Sequence, residues 1–108
     1  MGAVFEVSDI NFDQEVKRST LPVVVFFYSP NCGYCRNQNP VFDDLAKDKA
    51  SKARFVKLDI SKNPQKANEY KVQGVPHFVV FKDGKAVSSF GGFHHKFQLS
   101  DRLMMFGI

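Results

Sequence analysis

No stretch of the sequence holds about 18 consecutive apolar residues, so nothing in it reads as a membrane-spanning helix. Repeats, low-complexity segments and linkers are also lacking, and the 44% hydrophobic and 24% charged composition is that of an ordinary folded chain. A disordered tail, a collagen-like rod and a coiled coil are thereby excluded. Charge of one sign is not concentrated. Fifteen Lys and Arg against 11 Asp and Glu give +4, and the run through Lys47, Lys49, Lys52 and Arg54 is interrupted by Asp48 and neutral residues. This reads as a solvated, mildly basic surface, and no nucleic-acid partner is expected. The start of the chain lacks a basic segment and carries Glu6 and Asp9, so no signal peptide is read there. Gly2 is not read as a myristoyl acceptor, because Glu6 stands where that pattern wants Ser or Thr. A cytoplasmic location is expected, with the endoplasmic reticulum or periplasm as the alternative.

Cysteine is scarce. The two that occur stand together as Cys32-Gly33-Tyr34-Cys35. A bridge closing a loop of about four residues would contribute only ~2 kcal/mol, against ~4.7 kcal/mol for a loop of about 100. A zinc site wants four ligands, and there is no second Cys pair to supply them. The spacing therefore points to thiol chemistry, with no cofactor or metal expected. His94-His95 reads as surface at a helix start.

The 108 residues suffice for one domain, 1–108, that buries roughly two-thirds of its unfolded surface. Phe5-Glu6-Val7 reads as an edge strand, and Ser8 to Ser19 as a short helix opened by an Asn11/Gln14 capping box with Phe12 and Val16 on one face. Val23 to Tyr28 is six apolar residues, rich in β-branched side chains, and reads as a strand buried on both faces. A helix follows from Cys32 to about Lys52, with Pro40 expected to kink it. Phe55 to Ile60 is a further strand, and Asn63-Pro64 caps and opens a short helix. Lys82-Asp83-Gly84-Lys85 joins two strands as a hairpin, and Leu99, Leu103 and Phe106 mark one face of a closing helix. The order β-α-β-α-β-α-β-β-α predicts an α/β fold, a mixed sheet of about five strands flanked by about four helices.

Cys32 follows the buried strand and opens a helix. The free N–H groups and partial positive charge of a helix start favour thiolate over thiol there. Cys35 lies one turn further in, where greater burial is expected, and can attack a mixed disulfide at Cys32. Tyr34 sits beside it, open to a substrate. These are the parts of thiol–disulfide exchange.

The Cys pair at a strand-to-helix junction, Val25-Phe26-Phe27-Tyr28 before it, Pro40 after it, Val56-Lys57-Leu58-Asp59, Gly74-Val75-Pro76, Phe81-Lys82-Asp83-Gly84 and Gly91-Gly92 together resemble the thioredoxin family over almost the whole chain. The resemblance implies a thioredoxin fold, a cis Val75–Pro76 bond facing the thiols, and a Val75 backbone that binds an extended substrate segment. It implies Asn31, Gly33, Tyr34, Val75, Pro76, Gly92 and Phe93 as the substrate surface, Phe93 being equally readable as core. It also implies a monomer acting on protein disulfides, with a thioredoxin reductase as electron donor. Two departures stand out. Family members usually read Trp-Cys-Gly-Pro-Cys, where this chain has Asn31-Cys-Gly-Tyr-Cys35. The family's buried acid in the central strand is Phe26 here, which leaves Lys57 without that partner and Asp59 as the local candidate. His77, where Thr is common, reads either as a strand residue with a partly packed ring or as a group that tunes the thiols. A disulfide oxidase or isomerase of an oxidising compartment, a redox-weak adaptor module, and metal or iron–sulfur binding across a dimer remain the alternative functions.

Overall fold

The computed structural model describes residues 3–108, so Gly2 and the acylation reading placed on it lie outside the described residues. Strands β1 (Val4–Val7), β2 (Val23–Tyr28), β3 (Arg54–Asp59), β4 (His77–Lys82) and β5 (Lys85–Gly91) form one sheet in the order β1-β3-β2-β4-β5. β1, β3 and β2 run parallel, while β4 and β5 are antiparallel to their neighbours. The helices are α1 (Gly33–Asp48), α2 (Pro64–Glu69) and α3 (Lys96–Met104), with a single π-helical turn at Asp13–Lys17. This is the mixed five-stranded sheet expected of a thioredoxin fold. Among the described residues no helix is long and apolar enough to cross a membrane.

The continuous apolar run of β2 follows from its central place. Val23 to Phe27 are all buried, because β3 and β4 flank the strand and helices cover both faces. Side chains alternate across the sheet. Val24 and Phe26 therefore join Phe42, Phe55, Phe78, Leu99 and Leu103 on the α1/α3 face. Val23, Val25 and Phe27 join Phe12, Val16, Leu58 and Phe81 on the opposite face, beside α2. The hairpin turns as its sequence predicts: Asp83 and Gly84 both have positive φ, 53° and 78°. Gly84 is doubly required, since a Cβ there would stand 2.8 Å from the Lys17 carbonyl oxygen.

Several local expectations are corrected. The helix read over Ser8–Ser19 is only the π-helical turn, and Asn11 turns its side chain back to Ser8, accepting that residue's N–H at 2.8 Å instead of capping forward. Its apolar face is as read, with Phe12 and Val16 both buried. α1 ends at Asp48 instead of Lys52, with Pro40 inside it. Asn63 makes no side-chain cap of α2. The carboxylate of Asp9, a distant residue, accepts the Gln65 and Lys66 N–H groups at 3.1 and 2.9 Å. Phe106 lies beyond α3, half-buried against the same core as Leu99 and Leu103.

Candidate active site

β2 delivers the chain to the end of the sheet through Ser29-Pro30-Asn31, and Cys32 then becomes the N-cap of α1 with extended backbone (φ −94°, ψ 115°). Its sulfur does what a capping oxygen usually does, accepting the Cys35 N–H at 3.1 Å. No acidic residue occupies the first turn of α1. Cys32 is half-buried, and its Sγ lies 3.6 Å from the Val75 carbonyl oxygen.

Cys35 differs in every respect. It is 1% exposed and packs with the aromatic core of the α1/α3 face. Burial pushes its thiol well above the ordinary thiol range, the adjacent Cys32 adds to the rise, and a backbone contact with Ser29 offsets part of it. No carboxylate takes part in setting its titration. Phe26 fills the position that holds an acid in the resembled family, and is wholly buried between Phe42 and Phe78 with ring centroids at 5.2 and 5.3 Å.

Lys57 does not pair with Asp59. Its Nζ lies over the Tyr28 ring, 5.3 Å from the centroid, while Asp59 accepts the Ser61 N–H and hydroxyl at 2.9 and 2.7 Å. The reading of His77 as a group that tunes the thiols is also corrected. His77 is in register with Phe27, whose side chain lies on the face opposite Cys35. Its Nε2 is 2.8 Å from Ser89 Oγ, and burial holds its pKa below the ordinary imidazole value.

The remaining candidates lie on the segments either side of Cys32, at Val75–Pro76 beside its sulfur, and on the loop after β5. The Val75–Pro76 peptide is cis, Pro76 is buried, and its carbonyl oxygen accepts the Gly92 N–H at 2.9 Å. A cavity of about 320 Å3 lies along this platform, lined by Lys71, Gly74, Val75, Pro76, His77 and Gly92 among others. Asn31, Gly33 and Gly92 are exposed, and Tyr34 is 69% exposed on the first turn of α1. Phe93 is half-exposed and belongs to neither buried cluster, its ring meeting His95 edge-on at 5.0 Å. His95 is the exposed N-cap of α3. A second, polar cavity of about 350 Å3 lies among Glu6, Ser8, Asn11, Tyr28, Asp59 and Lys62, and neither cavity is lined by a cysteine.

One residue near the thiols escaped the sequence reading. Gln38 is fully buried in α1, one turn beyond Cys35, and both ends of its amide bond the backbone of His94. The available signal was a lone amide on the otherwise apolar stripe of Cys35, Phe42 and Leu45.

The arrangement offers a half-buried sulfur at a helix start, a second, buried sulfur one turn further in, and the Val75–Pro76 backbone beside the first. Residues 3–104 match the family model described as Thioredoxin. Among curated proteins, the chain is 39% identical over 103 residues to Thioredoxin 1 of a Nostoc species, covering 95% of this chain and 96% of that protein. It is 37% identical over 103 residues to a thioredoxin of Synechocystis, with the same two coverages of 95% and 96%. To a thioredoxin of Staphylococcus aureus it is 38% identical over 101 residues, covering 94% of this chain and 95% of that protein.

Proposed function

The chain belongs to the thioredoxin family of thiol–disulfide oxidoreductases, and we propose that residues 1–108 act as one domain that reduces protein disulfides, Cys32 attacking and Cys35 resolving. The observation that carries the assignment is the asymmetry of the pair: Cys32 is reachable and holds an N–H at its sulfur, while Cys35 is 1% exposed.

The Cys32 thiolate attacks one sulfur of a substrate disulfide. That S–S bond breaks, a mixed disulfide forms at Cys32, and the departing substrate thiolate takes up a proton. Cys35 then gives up its proton and attacks Cys32 Sγ. The second substrate thiol leaves, and the protein retains a Cys32–Cys35 disulfide, two electrons having passed to the substrate. A dithiol donor of the thioredoxin-reductase kind restores the pair, and a cytoplasmic setting keeps thiols reduced. The substrate segment lies extended along Val75 and Pro76, bounded by Asn31, Gly33 and Tyr34 on one side and by Gly92 and Phe93 on the other. The cavity beside the cis peptide supports this reading.

Cys35→Ser tests it. Removing the resolving thiol while sparing the attacker should accumulate substrates on Cys32 as adducts that reductant releases, visible on non-reducing gels after capture from extract. Absence of adducts, with wild-type protein inert toward insulin disulfides, would favour an adaptor that uses the groove without thiol exchange.

A further inference from the structure

Gln38 lies outside the roles assigned so far, yet it is fully buried and its hydrogen-bonding capacity is directed at a single segment. Its Nε2 donates to the His94 carbonyl oxygen at 3.0 Å, and its Oε1 accepts the His94 N–H at 2.9 Å. This reciprocal pair satisfies the backbone of His94 much as a neighbouring strand would, across 56 residues of sequence. From His94 the contacts continue toward the thiols. The ring Nδ1 is 2.7 Å from the Gly92 carbonyl oxygen, which can only accept, so Nδ1 donates. Gly92 N–H donates to the Pro76 carbonyl oxygen at 2.9 Å, and the Val75 carbonyl oxygen faces Cys32 Sγ at 3.6 Å. The His94 ring is itself wedged edge-on against Phe90 and Phe78, at 5.1 and 5.9 Å. A closed path thus runs from the dithiol helix through Gln38 to the Gly92 loop and back, along the cis-proline platform, to the attacking sulfur.

We propose that Gln38 is a positioning residue that holds the Gly92–His94 segment at the height required to bind an extended polypeptide across Cys32, a role that rests on the substrate-groove reading above. Gln38 touches neither substrate nor sulfur. It acts through His94 and Gly92, and its effect falls on substrates large enough to engage that wall. A small disulfide needs only the sulfurs.

The experiment compares insulin with cystamine, a small symmetric disulfide, as substrates of wild-type protein, Gln38→Leu and Gln38→Glu. Gln38→Leu should raise KM for insulin about five- to tenfold with kcat little changed, while its cystamine rate stays within about twofold of wild type. Gln38→Glu restores both bonds only when protonated, since an ionised carboxylate accepts but cannot donate. A buried carboxyl protonates well above its ordinary value of ~4.3. The insulin KM of Gln38→Glu, relative to wild type at each pH, should therefore fall toward one between about pH 8 and about pH 6. The same ratio for Gln38→Leu should stay flat. Should Gln38→Leu fail to fold, the pH series on Gln38→Glu decides alone. Equal losses on insulin and cystamine, or a Gln38→Glu ratio that ignores pH, would overturn the positioning role and leave the exchange chemistry standing. A wild-type protein that reduces neither substrate would overturn the oxidoreductase reading and this role together.

Discussion

The two faces of the sheet solve the same packing problem with different materials. Toward α2 the strands present Val23, Val25, Val56, Leu58 and Val79, with Phe12, Tyr70 and Phe81 packed ring to ring above them. The rim of that face is charged: Lys66 bonds Asp13 at 3.0 Å and Glu69 at 2.9 Å, and Asp9 caps α2. Toward α1 the centre is a connected stack of Phe26, Phe42, Phe55, Phe78 and Phe90, and the thiol of Cys35 is set into it. Gln38, a wholly buried polar side chain of this face, is committed to His94. The resolving thiol therefore lies among aromatic rings, while Asp59, a buried carboxylate of the same face, is bonded to Ser61. That is what the loss of the acid at position 26 means physically: Cys35 is dry, its thiol is pushed up by burial, and its proton has no side-chain acceptor of the family's kind.

The largest effect expected from breaking this contrast comes from Phe26→Asp. Replacing a wholly buried ring by a smaller, ionisable group leaves a cavity and desolvates a carboxyl, costing about 3–5 kcal/mol in urea melts. The same substitution should quicken resolution of a Cys32 mixed disulfide by about a hundredfold in stopped-flow, the scale of a well-placed general base. Lys57, in register with position 26, is placed to moderate the cost. If the variant folds and resolution is no faster, proton removal from Cys35 does not limit the step.

A smaller effect sharpens the contrast from the other face. Asp9→Ala removes the carboxylate that accepts two N–H groups at the start of α2. It should cost about 1 kcal/mol of stability, the usual worth of a helix cap. Because this cap serves the face without the thiols, insulin reduction by the variant should match wild type while its denaturation midpoint falls. A change in thiol reactivity would show that the two faces are mechanically coupled.

Legibility followed the same division. The strands were readable because β-branched and aromatic runs have no other use at that length, and Asp83-Gly84 specified its own turn. The thiol pair was readable because its two residues and the helix start that serves them are adjacent in sequence. What escaped was whatever depends on distant pairing. The face of His77 was not legible, because strand register, not local sequence, decides the face on which a side chain emerges. Asp9 displaced Asn63 as the cap of α2 because a loop more than 50 residues away reaches it, and Asn63 instead accepts the Asp9 N–H at 3.0 Å. Gln38 escaped because its partner, the backbone of His94 in the loop after β5, lies 56 residues away.

The central claim is that the two sulfurs differ in surroundings, and therefore in role. Alkylation of the reduced wild-type protein with iodoacetamide, mapped to each cysteine by mass spectrometry across a pH series, reads that difference directly. Burial favours the protonated thiol of Cys35, so raising the pH through the ordinary thiol value of ~8.5 ionises this residue in unfolded chains before it does so in folded ones. Between about pH 6 and about pH 9, Cys32 should be modified first and Cys35 should stay protected until denaturant exposes it. Modification of Cys35 ahead of Cys32, or of both at one rate in the folded protein, would contradict the account.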